Sequence, residues 1–214
     1  MQVIALISQK GGVGKSSLAG HLAVEAETRH DGPVALIDTD PQGSLSAWWN
    51  VREAATPIFV RGDLAKLSSQ LKQLAEQGIK LVVIDTPPAI TDNIKAVAQV
   101  ADLVIIPTRP SPHDLRAVGA TVDLVESTKK PMLFIVNGAA NRARITADAA
   151  VALSQHGTVS PVTIFQRVDF AVSMIDGRTV GELDPKSKSA NEIAELWIYV
   201  KSRLRKSVKE TTYA

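Results

Sequence analysis

A glycine-rich segment directly after the first apolar run constrains the fold of this chain more than any other feature. Residues 10–17 read Lys-Gly-Gly-Val-Gly-Lys-Ser-Ser, and they follow the apolar run Val3–Ile7. Glycines let a backbone wrap closely enough for several N–H groups to face a polyphosphate. A helix that begins at such a loop adds the positive end of its dipole. The segment therefore predicts a strand, a phosphate-binding loop and a helix in succession.

Side chains and amides of this loop have distinct predicted roles. Lys15 is expected to reach the β- and γ-phosphates of a nucleotide, and the Ser16 hydroxyl is expected to bind Mg²⁺. The whole loop is expected to hold the nucleotide. The residues predicted to bind it are Gly11, Gly12, Val13, Gly14, Lys15, Ser16 and Ser17.

Alternating apolar and helix-length segments predict an α/β fold. Four further short, β-branched runs look like strands buried on both faces, as in a parallel sheet. They are Val34–Ile37, Leu81–Ile84, Leu103–Ile106 and Met132–Val136. Helix candidates lie near 15–28, 63–77, 92–100, 112–127 and 144–155. This alternation predicts a doubly wound, mostly parallel sheet flanked by helices, in three layers α/β/α.

The last third of the chain is less regular. Val159–Phe165 predicts a further strand, and Phe170–Ile175 predicts a short helix. Apolar residues at i, i+3, i+4 spacing predict a docked helix over 189–204. We expect one P-loop domain over residues 1–209, followed by a frayed tail over 210–214.

Three aspartates follow two of the predicted strands. Asp38 and Asp40 come directly after Val34–Ile37, and Asp85 follows Leu81–Ile84. Because ligands of open parallel sheets bind beyond the carboxyl ends of the strands, these aspartates are expected to face the phosphate loop. Mg²⁺ in proteins usually takes one or two carboxylates and keeps several waters. Asp85 is therefore predicted to hold Mg²⁺ in the Walker B role, and Asp38 is predicted to support the Mg²⁺ shell.

Composition excludes several classes of protein. The chain has 214 residues, 45% of them hydrophobic and 4% aromatic, which predicts one domain with an aliphatic core. It contains no cysteine, which excludes disulfides, thiolate zinc sites and cysteine-ligated iron–sulfur clusters. No apolar run approaches the ~20 residues of a membrane span, and we expect a cytoplasmic protein.

The loop departs from the standard phosphate loop at one position. Gln9 stands where the standard loop has a glycine, and Lys10 follows it. With this loop and the two aspartate segments, the sequence resembles the ParA/MinD family of deviant Walker A ATPases, and most closely the short ParA-type partition ATPases. The resemblance implies ATP and Mg²⁺ as cofactors. It also implies a homodimer formed with ATP, in which Lys10 crosses to the nucleotide of the other subunit.

The same resemblance implies further roles at single residues. Asp40 matches the aspartate that orients or activates the attacking water, so Lys10, Lys15 and Asp40 are the predicted catalytic residues. Asn137, at the end of the run Met132–Val136, matches an asparagine that contacts adenine. The alternative for Asn137 is a plain turn at the end of a strand.

Basic charge is concentrated near the end of the chain. Between Lys186 and Lys209 there are seven basic and two acidic residues, whereas the whole chain carries +2. The resemblance implies DNA binding without sequence readout in the ATP state, hence association with the nucleoid; the alternative is a solvated helix face. The predicted contacts are Arg167, Lys186, Lys188, Arg203, Arg205 and Lys206.

Several functions share this chemistry. The first hypothesis is partition of plasmid or chromosomal DNA, with hydrolysis stimulated by a ParB-like or other small adaptor protein. The alternative is a ParA-like ATPase that positions a protein cargo, such as a chemotaxis cluster, microcompartment or secretion apparatus, or a MinD-like regulator. A small-molecule ligase of this fold needs no trans-acting lysine, so Lys10 argues against it. After Leu204 only Val208 and Tyr213 could insert into a membrane, which predicts no stable anchoring.

Overall fold

A computed structural model describes the backbone of residues 1–212 and the side chains through Arg205. Within these residues there are eight strands and nine helices, which alternate from β1 to β7. The strands are β1 Gln2–Leu6, β2 Val34–Asp38, β3 Ile58–Arg61, β4 Leu81–Asp85, β5 Leu103–Thr108, β6 Met132–Ala139, β7 Thr158–Val159 and β8 Ile164–Phe165. The helices are α1 Lys15–Thr28, α2 Ser44–Asn50, α3 Leu67–Glu76, α4 Asp92–Val100, α5 Pro112–Glu126, α6 Arg144–Ser154, α7 Val168–Ser173, α8 Val180–Leu183 and α9 Lys188–Thr212.

All strand pairs described for the sheet are parallel. The strand order is β3-β2-β4-β1-β5-β6-β7. Strand β8 also pairs with β6, closer to the end of β6 than β7 does. Asp38 of β2 lies opposite Asp85 of β4, and Leu6 of β1 lies opposite Asp85 on the other side. The register therefore brings both aspartates to the edge of the sheet at which β1 leads into the glycine-rich loop. The predicted doubly wound α/β fold is confirmed.

The core has two layers, one on each face of the sheet. Side chains of α3, α4, α5 and α6 pack on one face, and those of α1, α2, α8 and α9 pack on the other. Isoleucine, valine, leucine and alanine supply most of both layers, as the composition predicted. The central strands are buried on both sides, which explains why their sequences are unbroken apolar runs rather than alternating ones.

The five predicted strands and five predicted helices up to residue 155 are confirmed, with small shifts at their ends. The single strand predicted over Val159–Phe165 is wrong, because the chain breaks between β7 and β8. The Ser160 side chain accepts a hydrogen bond from the Val162 N–H (3.1 Å), and Pro161 between them has no N–H to donate to the sheet. Three short elements, α2, β3 and α8, were not predicted.

Helix α9 is longer than the predicted helix over 189–204 and is docked at its middle. The Trp197 indole N–H donates to the Asp31 carboxylate (2.9 Å), and the Lys201 ammonium pairs with the same carboxylate. Tyr213 and Ala214 lie outside the described residues, so the frayed tail over 210–214 stays a prediction. In the part of the chain that the structure describes, no helix combines the length and apolarity that crossing a membrane requires.

Candidate nucleotide site

The phosphate loop has a backbone conformation that depends on glycine. Gly12 and Gly14 have φ angles of +74° and +90°, in the region that L side chains rarely adopt. A β-carbon added at Gly14 would lie 2.3 Å from the Asn137 amide nitrogen, so a side chain at this position would displace the Asn137 side chain. Helix α1 begins at the next residue, so its free N–H groups face the loop. The predicted strand, loop and helix are thus present.

Lys15 points back into the loop that precedes it. Its ammonium donates a hydrogen bond to the Lys10 carbonyl oxygen (3.2 Å), and the residue is 6% exposed. Burial lowers the pKa of Lys15, while the nearby carboxylates of Asp85 and Asp40 oppose that shift. The ammonium is therefore held beside two of the predicted acids, inside the loop where the phosphates are expected.

Asp85 and Ser16 form a pair that fits a magnesium ion. The Ser16 hydroxyl donates to Asp85 Oδ2 (2.5 Å), and Asp85 is fully buried. Among the described residues, no donor reaches Asp85 Oδ1. Burial is the largest cause that raises the pKa of Asp85 to about 7; the charges of Asp38 and Asp40 add to the shift, and Ser16 and Lys15 oppose it. A cation would satisfy the unpaired oxygen and favour the ionised carboxylate.

The oxygen atoms of Ser16 and Asp85 also suit Mg²⁺ better than a metal that requires three or more protein ligands. Within residues 1–205, no group of three or more histidine, cysteine, aspartate or glutamate side chains is placed to hold a metal. Mg²⁺ is commonly bound by one or two protein oxygens together with waters and substrate phosphates. Ser16 and Asp85 supply such oxygens beside the loop.

Asp38 is engaged differently. It is 3% exposed, and both of its carboxylate oxygens accept hydrogen bonds from the protein. Oδ1 accepts from the Asp40 N–H (3.0 Å), and Oδ2 accepts from the N–H and the hydroxyl of Ser46 (2.8 and 2.6 Å). Its predicted role in the Mg²⁺ shell stays a prediction. Sequence reasoning did not single out Ser46, because a serine in an unpredicted helix gives no local signal.

Asp40 and Lys10 lie at the rim of the site. The Asp40 carboxylate is partly exposed and accepts a hydrogen bond from the Gln42 N–H (2.9 Å). Lys10 is exposed, and its N–H donates to the Ser8 hydroxyl (3.2 Å). The Lys10 side chain is thus free to reach outside its own subunit, whereas Lys15 is enclosed. The catalytic roles of both residues at the rim stay predictions.

A cavity of about 320 Å³ opens beside the loop. Gly14, Ser17 and Asn137 line one part of it, and Phe170 and Met174 line another. The Asn137 amide donates to the Val13 carbonyl oxygen (2.6 Å), so this asparagine also fixes the loop. The cavity is where a base would lie if the phosphates occupied the loop; the contact of Asn137 with adenine stays a prediction.

His21 is a buried residue of α1 whose structural role the sequence reasoning missed. It is buried on α1, its Nδ1 lies 2.7 Å from the Ser17 carbonyl oxygen, and its Nε2 lies 3.2 Å from the Val180 nitrogen. Nδ1 therefore carries the proton, and Nε2 accepts from the Val180 N–H. Burial lowers the pKa of His21 to about 4, so the ring is neutral at pH 7. A histidine in an apolar helix gives no sequence signal of this link, because its second partner is 159 residues away.

The predicted DNA contacts do not form one compact patch. Lys186 and Lys188 lie exposed at the start of α9, and Arg205 lies exposed near its far end. At a rise of 1.5 Å per residue, Lys188 and Arg205 are ~25 Å apart along the helix. Arg203 lies close to Arg205, with its guanidinium 3.4 Å from the Thr158 hydroxyl. The Lys206 side chain lies outside the described residues.

Arg167 is the predicted DNA contact nearest to the nucleotide site. Its guanidinium pairs with the Glu192 carboxylate of α9 (2.5 Å) and lines the cavity beside the loop. Its charge is therefore already matched by a protein carboxylate, unlike the exposed charges of Lys186 and Lys188.

The amino-acid sequence matches a known family over most of its length. The family is described as the CobQ/CobB/MinD/ParA nucleotide binding domain, and the match covers residues 4–180. The chain belongs to this family. The predicted relationship to the ParA/MinD proteins is confirmed, and the chain is an ATPase of this family, whose cofactors are ATP and Mg²⁺.

Two curated relatives share the name maintenance of carboxysome distribution protein A. The one from Gloeobacter kilaueensis is 42% identical over 125 residues, which is 56% of this chain and 55% of that protein. The one from Halothiobacillus neapolitanus is 29% identical over 196 residues, which is 87% of this chain and 90% of that protein. The stronger of these matches thus spans about half the length of the relative.

A solved structure confirms the fold. The ATP complex of a McdA variant from Cyanothece is similar with a TM-score of 0.74 at 19% sequence identity. The similarity covers 95% of this chain and 96% of the other. The arrangement of strands and helices around the loop is therefore one that a solved ParA/MinD-type protein also has.

Proposed function

We propose that this chain is an ATP-dependent switch that positions a large protein assembly. The observation that carries the proposal is the 42% identity with a carboxysome distribution protein, in a chain whose phosphate loop, Lys15, Ser16 and Asp85 converge on one edge of the sheet. This observation supports the protein-cargo alternative of the sequence analysis better than its first hypothesis, DNA partition. The proposed cargo is a protein microcompartment of the carboxysome kind.

In the proposed cycle, the loop amides and Lys15 bind the phosphates of ATP, and Ser16 and Asp85 hold Mg²⁺. The bound Mg²⁺ would neutralise charge on the phosphates. Asp40 orients the water that attacks the γ-phosphate. Lys10 reaches the nucleotide of the second subunit, a role similar to that of an arginine finger, which is worth about 10³–10⁵ in rate in other phosphoryl-transfer enzymes.

DNA is the proposed surface on which the switch acts. The exposed basic residues at the two ends of α9 would contact phosphates without reading sequence. A dimer carries two copies of each group, so ATP-dependent dimerisation would raise the affinity for DNA by avidity. A small adaptor protein on the cargo would stimulate hydrolysis and release the dimer.

The molecular part of this proposal is tested by light scattering coupled to size exclusion, with ATP, with ADP and without nucleotide. The chain is expected to be dimeric only with ATP. Lys15→Gln is expected to remain monomeric in all three conditions, because it loses the ammonium that faces the phosphates. Lys10→Ala is the second arm: it is expected to bind ATP with unchanged affinity and to fail to dimerise. A wild-type chain whose mass ignores the nucleotide contradicts the proposal.

The cargo is tested in the native host. Deletion of the gene is expected to cluster microcompartments while plasmids and chromosomes remain normally inherited. Loss of plasmid or chromosome inheritance with evenly spaced assemblies would instead favour DNA partition, the second candidate, which the basic charge of α9 supports. Expression of the wild-type chain in trans, but not of Lys15→Gln, should restore the spacing.

A further inference from the structure

Helix α2 begins without a capping side chain of its own. Its N-cap residue is Gly43, in the left-handed conformation, and no side chain at that position accepts a hydrogen bond. Asp38, at the end of β2, takes this role instead. Asp38 Oδ2 accepts both the N–H (2.8 Å) and the hydroxyl (2.6 Å) of Ser46 in the first turn of α2.

The same carboxylate also holds the backbone at Asp40. Asp38 Oδ1 accepts the Asp40 N–H (3.0 Å), so the chain of contacts runs from Ser46 through Asp38 to Asp40. Asp38 is almost fully buried, and a buried carboxylate keeps a fixed position when several donors hold it. The Asp40 side chain, by contrast, accepts a hydrogen bond from the Gln42 N–H in the next turn.

The far end of α2 is anchored as well. The Trp48 indole N–H donates to the Arg178 carbonyl oxygen (3.1 Å). Just after the helix, the Arg52 guanidinium makes two hydrogen bonds to the Glu182 carboxylate (2.8 and 2.6 Å). Because α2 is fixed at both ends, Ser46 is a stationary donor for Asp38 rather than part of a mobile loop.

We propose that Ser46 is a positioning residue for ATP hydrolysis, which holds Asp40 in place through the Asp38 carboxylate. The inference rests on the role of Asp40 in the proposed function. It assigns to Asp38 the task of positioning the Asp40 backbone, since protein donors bind both of its carboxylate oxygens. A misplacement of about 1 Å at a catalytic group can cost on the order of 100-fold in rate, so a modest loosening of this link is measurable.

The test compares Ser46→Ala with Ser46→Thr, which retains a hydroxyl, and with Ser44→Ala as the matched control. Ser44 lies in the same turn of α2 and is exposed. The first measurement is exchange of the Asp40 amide hydrogen, by NMR without nucleotide. Exchange is expected to be about tenfold faster in Ser46→Ala, and near wild type in Ser46→Thr and Ser44→Ala. This measurement does not depend on any activity of the chain.

The second measurement is steady-state hydrolysis across ATP and Mg²⁺ series. Ser46→Ala is expected to lower kcat about tenfold, with KM and the half-saturating Mg²⁺ concentration within about twofold of wild type. Ser46→Thr is expected to recover most of kcat. A loss of stability alone would lower the unfolding midpoint without this split between kcat and KM.

Three results would overturn the proposal. They are an unchanged kcat in Ser46→Ala, a loss of kcat that excess Mg²⁺ restores, and an equal loss in Ser44→Ala. A loss of kcat that excess Mg²⁺ restores would indicate that Asp38 acts in the Mg²⁺ shell. Failure of the proposed function is separate, because it appears as a chain that does not dimerise with ATP. A chain that lacks ATP-dependent dimerisation and still shows the Ser46 effects on exchange and kcat would leave the positioning role supported.

Discussion

At the scale of single residues, the close approach of Asn137 to Gly14 constrains the phosphate loop. The asparagine amide lies where a β-carbon of residue 14 would be, and it is held there by its hydrogen bond to Val13. The loop, the start of α1 and the end of β6 therefore meet at one point. A change at Gly14 alters the phosphate loop and the cavity beside it together.

Gly14→Ala is expected to abolish nucleotide binding, with a fall in ATP affinity of more than about 100-fold. Gly78→Ala is the matched control. Gly78 also has a left-handed conformation, at φ +84°, but nothing lies within 4 Å of its added β-carbon. The control should cost about 1–2 kcal/mol of stability and leave ATP affinity unchanged. Calorimetric titration with ATP and Mg²⁺ measures the ATP affinity of the two variants. Equal affinities would contradict the role of Gly14.

His21 makes stability depend on pH. Its pKa is about 4 in the folded chain, below the ordinary histidine value of 6.5, so the unfolded chain binds the extra proton between these pH values. Its contribution to stability is therefore complete above pH 6.5 and is lost as the pH falls towards 4. The expected loss is about 3 kcal/mol.

The measurement is urea unfolding of wild type and His21→Gln from pH 4 to pH 7.5, without nucleotide. Asp85, whose pKa is raised, contributes the opposite slope in both chains, so the difference between the chains at each pH isolates His21. The stability advantage of wild type should shrink as the pH falls from 6.5 towards 4. A difference that stays constant with pH contradicts the assignment.

At the scale of elements, an ion pair with a buried arginine joins the end of α2 to the C-terminal half. Arg52 has only 3% of its side chain exposed, and it bonds to Glu182 of α8 and to the Gly177 carbonyl oxygen. Thr179 and Glu182 also cap each other at the start of α8. The geometry requires a planar, forked cation, which lysine cannot replace.

Arg52→Lys is accordingly expected to lower the free energy of unfolding by about 2 kcal/mol. Arg144→Lys is the control, because the Arg144 side chain is 96% exposed and its N···O distance to Asp148 is 4.0 Å. That exposed pair should contribute almost nothing. Thermal or urea unfolding of both variants measures the difference. Equal small effects would show that the pair of Arg52 with Glu182 does not hold the end of α2 in place.

The elements also show how far sequence reasoning reaches. The central strands were predictable because parallel strands covered on both faces need long apolar runs. Strand β3 was missed because it is a four-residue edge strand with exposed ends, and its pattern lacks that signal. The phosphate loop, Asp85 and Asp40 follow from local motifs. The links of Ser46 and His21 do not, because their partners are fixed only by how the elements pack.

At the scale of the whole molecule, the sheet separates two surfaces. Helix α9, with Lys186 and Lys188 at its start, packs on one face, and α3, with Lys66 before it and Lys72 within it, packs on the other. All four lysines are exposed. A charge effect that depends on α9 can therefore be compared with an equal charge change on the opposite face.

The double variant Lys186→Ala, Lys188→Ala is expected to weaken retention on DNA with ATP. The slope of the logarithm of the binding constant against the logarithm of the salt concentration should be smaller in magnitude by about 2, since two phosphate contacts are lost. The double variant Lys66→Ala, Lys72→Ala carries the same change in net charge and should behave like wild type. The measurement is DNA binding by fluorescence anisotropy at salt concentrations from about 50 to about 300 mM, a range that includes the physiological ionic strength. Equal slopes in both variants would show that Lys186 and Lys188 at the start of α9 do not contact DNA.

The exposed position of Lys10 has a consequence for how the rate scales with the amount of protein. If this side chain acts on the nucleotide of a second subunit, an isolated chain holds ATP but lacks one cation at the reacting phosphate. Specific activity should then rise with enzyme concentration and level off once most chains are associated. In dilute solution, hydrolysis would be governed by encounters between subunits, so the local density of the protein would set how quickly each bound ATP is consumed.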